Sequence, residues 1–390
     1  MNLLDFFIIL IVLGYAVSGY IQGFVTGLVA TIGLLIGGGL AVYLTPIIFD
    51  SRSPTAMTAL FAVVGVLISA LIGQAIGTHM GAGIRDGVKW RPARWLDSLA
   101  GGVLGVVAVL AVSWAMGYAV SGTQVPYLSQ SVRESVVLGE VDKVMPDAAD
   151  NALNAFNQVL DTNLFPRYLD PFESENIIAV EPPDEATLGL PAVQEASKSV
   201  VKILGAAVCN RGIEGSAFVY AQDRVMTNAH VVAGVRRPFV VVGERRLPAE
   251  VVVYDPKLDI AVLAVNGLGL EPLEFDTTGK AGDDAAVLGY PENGPFDARA
   301  ARIRQVQSLR SPDIYNRDQV VREAFSIRSL IRSGNSGGPL ISDQGDVYGV
   351  IFAASVSDQS TGYAVTASQV ASNAEAGRRA GTPVDTGGCA

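Results

Sequence analysis

The distribution of apolar residues divides the chain into two unequal parts. Four apolar runs occupy residues 4–20, 24–46, 57–80 and 98–120. Each is near the ~20 residues that a helix needs to cross a bilayer. From about residue 196 the pattern changes to short runs rich in Val, Ile and aromatic residues, typical of an all-β sandwich or barrel. We predict an α plus all-β multidomain protein, with a four-helix transmembrane domain over 1–120 and a β domain over 196–390.

The short loops between the apolar runs indicate the orientation of the membrane domain. The loop at 81–97 is basic, whereas the loop after the second run holds only Arg52. The basic residues of the loop at 81–97 are Arg85, Lys89, Arg91 and Arg94. Because cytoplasmic loops are enriched in Lys and Arg, the loop at 81–97 is predicted to be cytoplasmic. Four spans then place both termini, and everything after residue 120, on the periplasmic side. A cleaved signal peptide is disfavoured because Met1–Asp5 contains no Lys or Arg.

Small residues recur every four positions within the apolar runs. They are Gly19, Gly23 and Gly27, and the pairs Gly33 and Gly37, Gly73 and Gly77, and Gly101 and Gly105. Such spacing lets membrane helices approach closely, so we favour a packing role. The same faces make self-association of the membrane domain a candidate interaction. Asp5, Gln22, His79 and Asp97 lie near the predicted ends of the spans and do not define a conduction path.

Residues 121–195 form a predicted connector between the two domains. Apolar positions at mixed three and four spacing over 131–161 favour short amphipathic helices. Prolines and acidic residues dominate the rest, which we interpret as an extended, exposed linker. Its prolines include Pro171, Pro182, Pro183 and Pro191. A protease tethered beside this linker is expected to cut it between about 161 and 195.

Composition narrows the functional classes. The 390 residues carry a net charge of −10, without a basic stripe or tail, so nucleic acid is not an expected partner. The chain has two histidines and two cysteines, and no cluster has the ligand spacing of a zinc or iron site. We therefore expect neither a metal nor another cofactor.

The stretch "RSGNSGGPL", from Arg332 to Leu340, raises the question of a nucleophilic serine. A glycine cluster is by itself more often a turn. The exported part contains a single histidine, His230, in "VMTNAHVVAG", and "DPKLDIAVL" places Asp259 directly before an apolar strand. Asp255 in the same turn is the rival carboxylate. With Ser336, the order His, Asp, Ser is one of the known orders of a catalytic triad.

The glycines around Ser336 suit the same chemistry. Gly334 can adopt a backbone conformation that turns its N–H inward, so that the N–H groups of Gly334 and Ser336 form an oxyanion hole. Gly337 and Gly338 leave room for a substrate carbonyl. Two other functions stay open: a binding or chaperone-like module with a dead site, and a membrane channel or scaffold regulated by its exported part. The complete triad favours a serine endopeptidase.

The strings "TNAH", "DIAVL", "GNSGGPL" and "TGYAV" resemble the trypsin-like serine proteases, especially the bacterial HtrA type, over about 195–370. The resemblance implies a chymotrypsin-like fold of two six-stranded β-barrels, with the active site in the cleft between them. It also implies a primary pocket with Leu330 as its floor and Ala353 and Ala354 on its wall, and cleavage after Leu, Met or Phe. HtrA-type enzymes carry PDZ domains after the protease, and too few residues follow here for one.

Residues 1–120 resemble the colicin V production family of membrane proteins, through Asp5, the glycines of the first span and "LDSLAGGVLG". This domain joined to a protease is similar to the actinobacterial membrane-anchored acid-resistance proteases. The resemblance implies an enzyme in the inner membrane that processes envelope proteins under acid or oxidative stress, with the lipid bilayer and envelope proteins as its partners.

The two cysteines are Cys209, near the start of the β domain, and Cys389, one residue from the end. An exported compartment permits a disulfide, which would tie the carboxyl tail back across the domain. The alternative is two free thiols. Cys209 is not expected to be a nucleophile.

Overall fold

The computed structural model describes residues 1–48, 56–87, 89–121, 126–145, 175–209, 212–315 and 317–390. They fall into two compact units. One comprises Met1–Gly117 and Ser135–Val144, and the other comprises Tyr118–Glu134 and Met145–Ala390. The described elements of the first unit are all helices, whereas the second unit holds all the described β-strands together with shorter helices.

Four long helices account for most of the first unit. They are α1 (Leu3–Gln22), α2 (Phe24–Ile48), α3 (Ala56–Asp86) and α4 (Arg91–Ser121). Each contains a stretch that is long and apolar enough to cross a membrane, so the prediction of four apolar helices is confirmed. Gly23, with φ +82°, interrupts the helical path between α1 and α2.

Glycines bring these helices together in pairs. A Cβ added at Gly33 would lie 2.2 Å from the carbonyl oxygen of Gly73, so α2 and α3 meet backbone to backbone. A Cβ added at Gly19 would lie 2.3 Å from the carbonyl oxygen of Gly101, which joins α1 and α4 in the same way. The packing role predicted for these glycines is confirmed. Asp97, predicted near the end of a span, forms a 2.8 Å ion pair with Arg85.

Asp5 is buried and accepts hydrogen bonds at the amino-terminal ends of two helices. Its Oδ2 accepts the N–H of Asn2 at 2.9 Å, which caps α1. Its Oδ1 accepts the hydroxyl of Ser135 at 2.6 Å and the N–H of Val137 at 3.2 Å. These are the first residues of α6 (Val136–Asp142) and its cap. Asp5 therefore has a capping role within the first unit.

Short helices are confirmed in part of the connector. Helix α5 (Pro126–Arg133) belongs to the second unit and α6 to the first. Residues 146–174, which include most of the predicted amphipathic stretch and Pro171, lie outside the described residues.

The prediction of an exposed linker is wrong for the last residues of the connector. Residues 175–184 form neither helix nor strand, but a 3-10 helix (Glu185–Gly189) and α7 (Pro191–Ser197) follow. Pro191 stands at the first position of α7, where a missing N–H costs nothing, so it begins a helix instead of marking a linker. Val193 and Ala196 are buried in the core of the second unit.

The first barrel of the second unit is a rolled sheet of seven strands. They are β1 (Val200–Ala206), β2 (Gly212–Ala221), β3 (Arg224–Thr227), β4 (Phe239–Val242), β5 (Arg245–Pro248), β6 (Glu250–Asp255) and β7 (Ile260–Ala264). Their order is β5-β4-β1-β2-β3-β7-β6. The two edge strands are separated in the chain by Ala249 alone, so the sheet must curl until its edges meet. In effect, β5 and β6 are one bent strand of a six-stranded barrel.

The second barrel closes by hydrogen bonds in the order β10-β13-β12-β11-β8-β9. Its strands are β8 (Asp284–Gly289), β9 (Asp297–Pro312), β10 (Gln319–Arg328), β11 (Pro339–Ser342), β12 (Val347–Ala354) and β13 (Thr361–Thr366). Val287, Ile303, Ile327 and Leu340 fill its interior. The predicted chymotrypsin-like architecture of two barrels is confirmed.

A shared core joins the two barrels. Phe218 and Ile260 from the first barrel pack in one buried cluster with Leu288 and Ile341 from the second. The carboxyl-terminal helix α8 (Ala367–Arg379) completes this cluster with Val370. The interface between the barrels is therefore apolar and continuous.

Candidate active site

His230 and Asp259 form a hydrogen-bonded pair on the first barrel. His230 lies in the turn after β3, and its Nδ1 is 2.7 Å from Oδ2 of Asp259. Its backbone N–H also donates to Oδ1 of the same carboxylate at 2.9 Å. Because Nδ1 carries the proton toward Asp259, Nε2 presents a lone pair and can act as a base. Both side chains are largely buried, with exposed fractions of 13% and 3%.

The backbone at Asp259 is unusual. Its φ is +60°, a left-handed conformation that residues with a Cβ adopt at some cost. The amide Nδ2 of Asn228 donates to the carbonyl of Asp259 at 2.8 Å and helps to hold it. Such a conformation persists only where neighbours fix it, and the direction of the carboxylate toward His230 depends on it.

Asp255, the rival carboxylate, has another task. Its Oδ1 accepts the N–H groups of Lys257 and Leu258, each at 3.0 Å, and its Oδ2 accepts Nδ2 of Asn373 at 3.0 Å. It shapes the turn between β6 and β7 and ties that turn to α8. The structure thus pairs His230 with Asp259 and gives Asp255 a structural role.

The turn around Ser336 is built from left-handed glycines and fixed by the first barrel. Gly334 has φ +89° and Gly337 has φ +80°. Ser216 of β2 donates its N–H to the carbonyl of Ser336 at 2.8 Å and its hydroxyl to the carbonyl of Gly334 at 2.6 Å. Asn335 closes the turn with its N–H on the carbonyl of Arg332 at 3.0 Å. Sequence reasoning missed Ser216, whose contact spans 120 residues.

Two backbone donors in this turn are free. The carbonyl of Ser333 is turned away to accept the N–H of Glu292 at 2.7 Å. Within the part of the chain that the structure describes, the N–H groups of Gly334 and Ser336 donate to no protein acceptor. A Cβ at position 334 would lie 2.5 Å from the carbonyl oxygen of Tyr290, so only glycine fits. Two unpaired backbone donors in one turn are what a developing oxyanion requires.

Ser336 lies beside the segment that leads to His230. A Cβ added at the neighbouring Gly337 would lie 2.2 Å from Oγ1 of Thr227 and 3.0 Å from the N of Asn228. Among the described residues, no hydrogen bond joins Oγ of Ser336 to Nε2 of His230. Such bonds are often long in substrate-free enzymes, so the contact between nucleophile and base stays a prediction.

The predicted pocket residues have unequal environments. Ala353 is fully buried and Ala354 partly buried at the end of β12. Leu330 is 36% exposed, whereas its neighbour Ile331 is 5% exposed. A Cβ added at Gly362 would lie 2.2 Å from Cγ1 of Ile331. Neighbours in an extended segment point in opposite directions, which accounts for the different exposure of Leu330 and Ile331. The role of Leu330 as the pocket floor stays a prediction.

The predicted disulfide is confirmed: Cys209 and Cys389 are bonded across 180 residues of sequence. The carboxyl tail lies on the first barrel close to the histidine turn. A Cβ added at Gly234 would lie 3.2 Å from Sγ of Cys389. In the described ranges, no group of three or more His, Cys, Asp or Glu side chains is placed to hold a metal ion.

Comparison with known families divides the chain as its two units suggest. Residues 215–350 match the family described as trypsin-like peptidase domain. Residues 4–146 match the colicin V production protein family. The two matches cover the candidate site and the four apolar helices, respectively.

Individual proteins that are similar to this chain are also serine proteases. Serine protease Rv3671c of Mycobacterium tuberculosis H37Rv is 37% identical over 391 residues, which is 99% of this chain and 98% of that protein. A probable periplasmic serine endoprotease, DegP-like, of Halomonas elongata is 33% identical over 140 residues, 35% of this chain and 28% of its own. The crystal structure of the active form of the Rv3671c protease matches with a TM-score of 0.54 and 45% identity. It covers 57% of this chain and 98% of its own.

Proposed function

The chain belongs to the trypsin-like serine proteases, and on that premise we propose that it is a membrane-anchored endopeptidase with a triad of His230, Asp259 and Ser336. The observation that carries the proposal is the 2.7 Å pair of His230 and Asp259 beside a serine turn with two free N–H donors. The rival functions, a dead binding module and a regulated channel, give no reason for this combination.

The geometry supports acyl transfer in two stages. Nε2 of His230 takes the proton from Ser336 as Oγ attacks the scissile carbonyl carbon. The oxygen, now negative, is held by the N–H groups of Gly334 and Ser336. The imidazolium, stabilised by Asp259, then gives its proton to the leaving amine. Water repeats the sequence on the acyl-enzyme and restores the free serine.

The proposal also covers the domain organisation of the enzyme, its location and its substrates. We assign residues 1–120 to a membrane anchor, 121–195 to a connector and 196–390 to the protease. The basic loop at 81–97 supports a cytoplasmic position for that loop, and hence a periplasmic position for both termini and the protease. A substrate among envelope proteins, cleaved under acid or oxidative stress, follows from the family resemblance. Confining the protease to the membrane surface would limit its substrates to proteins within reach of the connector.

The test is cleavage of a quenched fluorescent peptide library by the purified full-length protein. Wild type is expected to hydrolyse a subset of peptides, and Ser336→Ala to lose all measurable turnover while keeping its melting temperature. The matched control is Ser197→Ala, which removes a surface hydroxyl of α7 bonded only to a carbonyl one turn away. Equal turnover in wild type and Ser336→Ala would refute the assignment of the nucleophile.

A further inference from the structure

A buried arginine reaches from the second barrel to the turn that carries Asp259. Arg322 lies on β10 and is 2% exposed. Its Nη1 donates to the carbonyl of Pro312 at 3.1 Å and to the hydroxyl of Ser311, both on β9. Its Nη2 donates to the carbonyl of Lys257, two residues before Asp259. One guanidinium therefore bonds both barrels.

The rest of the turn is held from several directions. The N–H of Ile314, from the loop between β9 and β10, donates to the carbonyl of Pro256 at 3.2 Å. Asn373 of α8 bonds Asp255, and Asn228 bonds the carbonyl of Asp259. Arg322 is the charged member of this set. Because the left-handed backbone at Asp259 must be fixed by its surroundings, loosening one support changes where the carboxylate points.

The charges around Arg322 match this placement. Burial lowers the pKa of Arg322, and the carboxylates of Asp259, Asp313 and Asp255 oppose that effect. The guanidinium also lies over the ring of Phe352 on β12, 5.9 Å from its centroid. Its Nε has no partner among the described residues. Burying an incompletely paired charge costs free energy of folding. An apolar side chain of similar volume often stabilises a fold as well, so packing alone does not account for an arginine here.

We propose that Arg322 is a positioning residue that registers His230 and Asp259, on the first barrel, against Ser336, on the second. The inference rests on the proposed function, because it takes these three residues as the triad. Docking of the barrels through the apolar core leaves small sliding movements open. A guanidinium whose two Nη groups bond opposite barrels restricts those movements at the turn of Asp259, as the bonds from Ser216 do at the turn of Ser336.

The expected effect is a loss of kcat without a loss of binding. Removing the guanidinium in Arg322→Met is expected to reduce kcat roughly 10- to 100-fold, since a misplacement of about 1 Å can cost about a hundredfold. KM is expected to stay within about twofold, because the hydrogen bonds of Arg322 go to Ser311, Pro312 and Lys257, and none goes to a predicted pocket residue. Arg322→Lys keeps the charge but not the planar fork, so kcat is expected to be restored in part.

The experiment uses full-length protein in the His79→Gln background, which leaves His230 as the single histidine. Four quantities are measured: kcat and KM on a cleaved peptide, the melting temperature, and the NMR resonance of the Nδ1 proton shared by His230 and Asp259. The matched control is Arg224→Met, whose guanidinium likewise bonds carbonyls of another element, Gly377 at 2.8 Å and Ala380 at 2.9 Å. That control is expected to lower stability without moving the resonance.

A lower kcat with unchanged KM, a shifted or broadened resonance and partial restoration by Lys would support the proposal. A folded Arg322→Met with the kcat and resonance of Arg224→Met would overturn it. Should Arg322→Met not fold, Arg322→Lys decides, because wild-type kcat and resonance in that variant would also overturn it. A folded wild-type protein that hydrolyses no peptide, or a Ser336→Ala variant that keeps its turnover, would instead reveal a failure of the proposed function.

Discussion

Removing the Cys209–Cys389 bridge is expected to reduce stability strongly and turnover only modestly. The perturbation is Cys209→Ser with Cys389→Ser in full-length protein. The bridge closes 180 residues, for which the loop-entropy relation gives about 5 kcal/mol at 25 °C as an upper figure. We expect a loss of about 2–5 kcal/mol in the free energy of unfolding, as for other native disulfides. At about 2–4 °C per kcal/mol for a domain of this size, the melting temperature falls by roughly 4–20 °C.

The tail has other attachments, and they limit the effect on activity. Gly234 donates its N–H to the carbonyl of Thr386 at 3.1 Å, and Thr386 donates its hydroxyl to the carbonyl of Val235 at 3.2 Å. Val384 donates its N–H to the carbonyl of Val251 at 2.8 Å. In the folded protein without the bridge, the tail should therefore stay on the first barrel.

The position of the tail also decides which kinetic constant changes. It lies against Gly234, four residues after His230, and its bonds go to the first barrel and to Tyr315 instead of the strands β12 and β13 near the predicted pocket. We expect kcat to fall by no more than about tenfold, because a docked tail shifts His230 by well under the ~1 Å that costs about a hundredfold. KM should not change.

The assay combines thermal unfolding with peptide hydrolysis, with and without a thiol reductant. The double serine variant is its own control, because reductant should change wild type toward the variant and leave the variant unaffected. An unchanged melting temperature would contradict the entropic reasoning. A large rise in KM with constant kcat would show that the tail acts on the pocket and not on the histidine turn.

Four further outcomes are expected. Asp259→Asn should lower kcat by about 10⁴-fold and Asp255→Asn far less; the reverse order in peptide hydrolysis would contradict our choice of carboxylate. A peptide library should be cut after Leu, Met or Phe, and cleavage mainly after Arg would refute an apolar pocket. Self-cleavage should cut the connector between about residues 161 and 195 and vanish in Ser336→Ala on gels; equal fragments in both would implicate another protease. Burial raises the pKa of Asp284, but hydrogen bonds from Arg302 and Asp184 outweigh that effect and the pKa is lowered. Asp284→Asn should therefore reduce the stability measured by unfolding above about pH 4 and not well below that pH. An equal loss of stability at both pH values would refute this linkage.

Short sequence patterns were sufficient to predict the features that depend on a few neighbouring residues. The single histidine after residue 196, the aspartate before an apolar strand and the glycine-flanked serine were all identifiable, because each needs a particular residue type within a few positions. The four apolar helices were predictable for a similar reason, since about 20 apolar residues in a row have few other uses. The paired cysteines could be predicted, but not the surface of the barrel on which the tail lies.

Contacts between distant residues could not be predicted. Nothing near Ser216 indicates that its hydroxyl holds the carbonyl of Gly334, and nothing near Arg322 indicates that it bonds the turn of Asp259. Pro191 was interpreted as part of a linker because proline breaks helices in their interior but is favoured at their first position, and sequence alone does not separate the two. The choice between Leu330 and Ile331 depends on which of two neighbours faces inward.

The most direct test of the triad is the site of covalent labelling by a fluorophosphonate, read by mass spectrometry of the intact protein and of its peptides. One adduct is predicted, on Ser336, although the chain has many other serines. His230→Ala should react far more slowly, and Ser336→Ala should not react while keeping its melting temperature. An adduct on another residue, or a folded wild-type protein that never reacts, would contradict the conclusion that Ser336 is a nucleophile activated by His230 and Asp259.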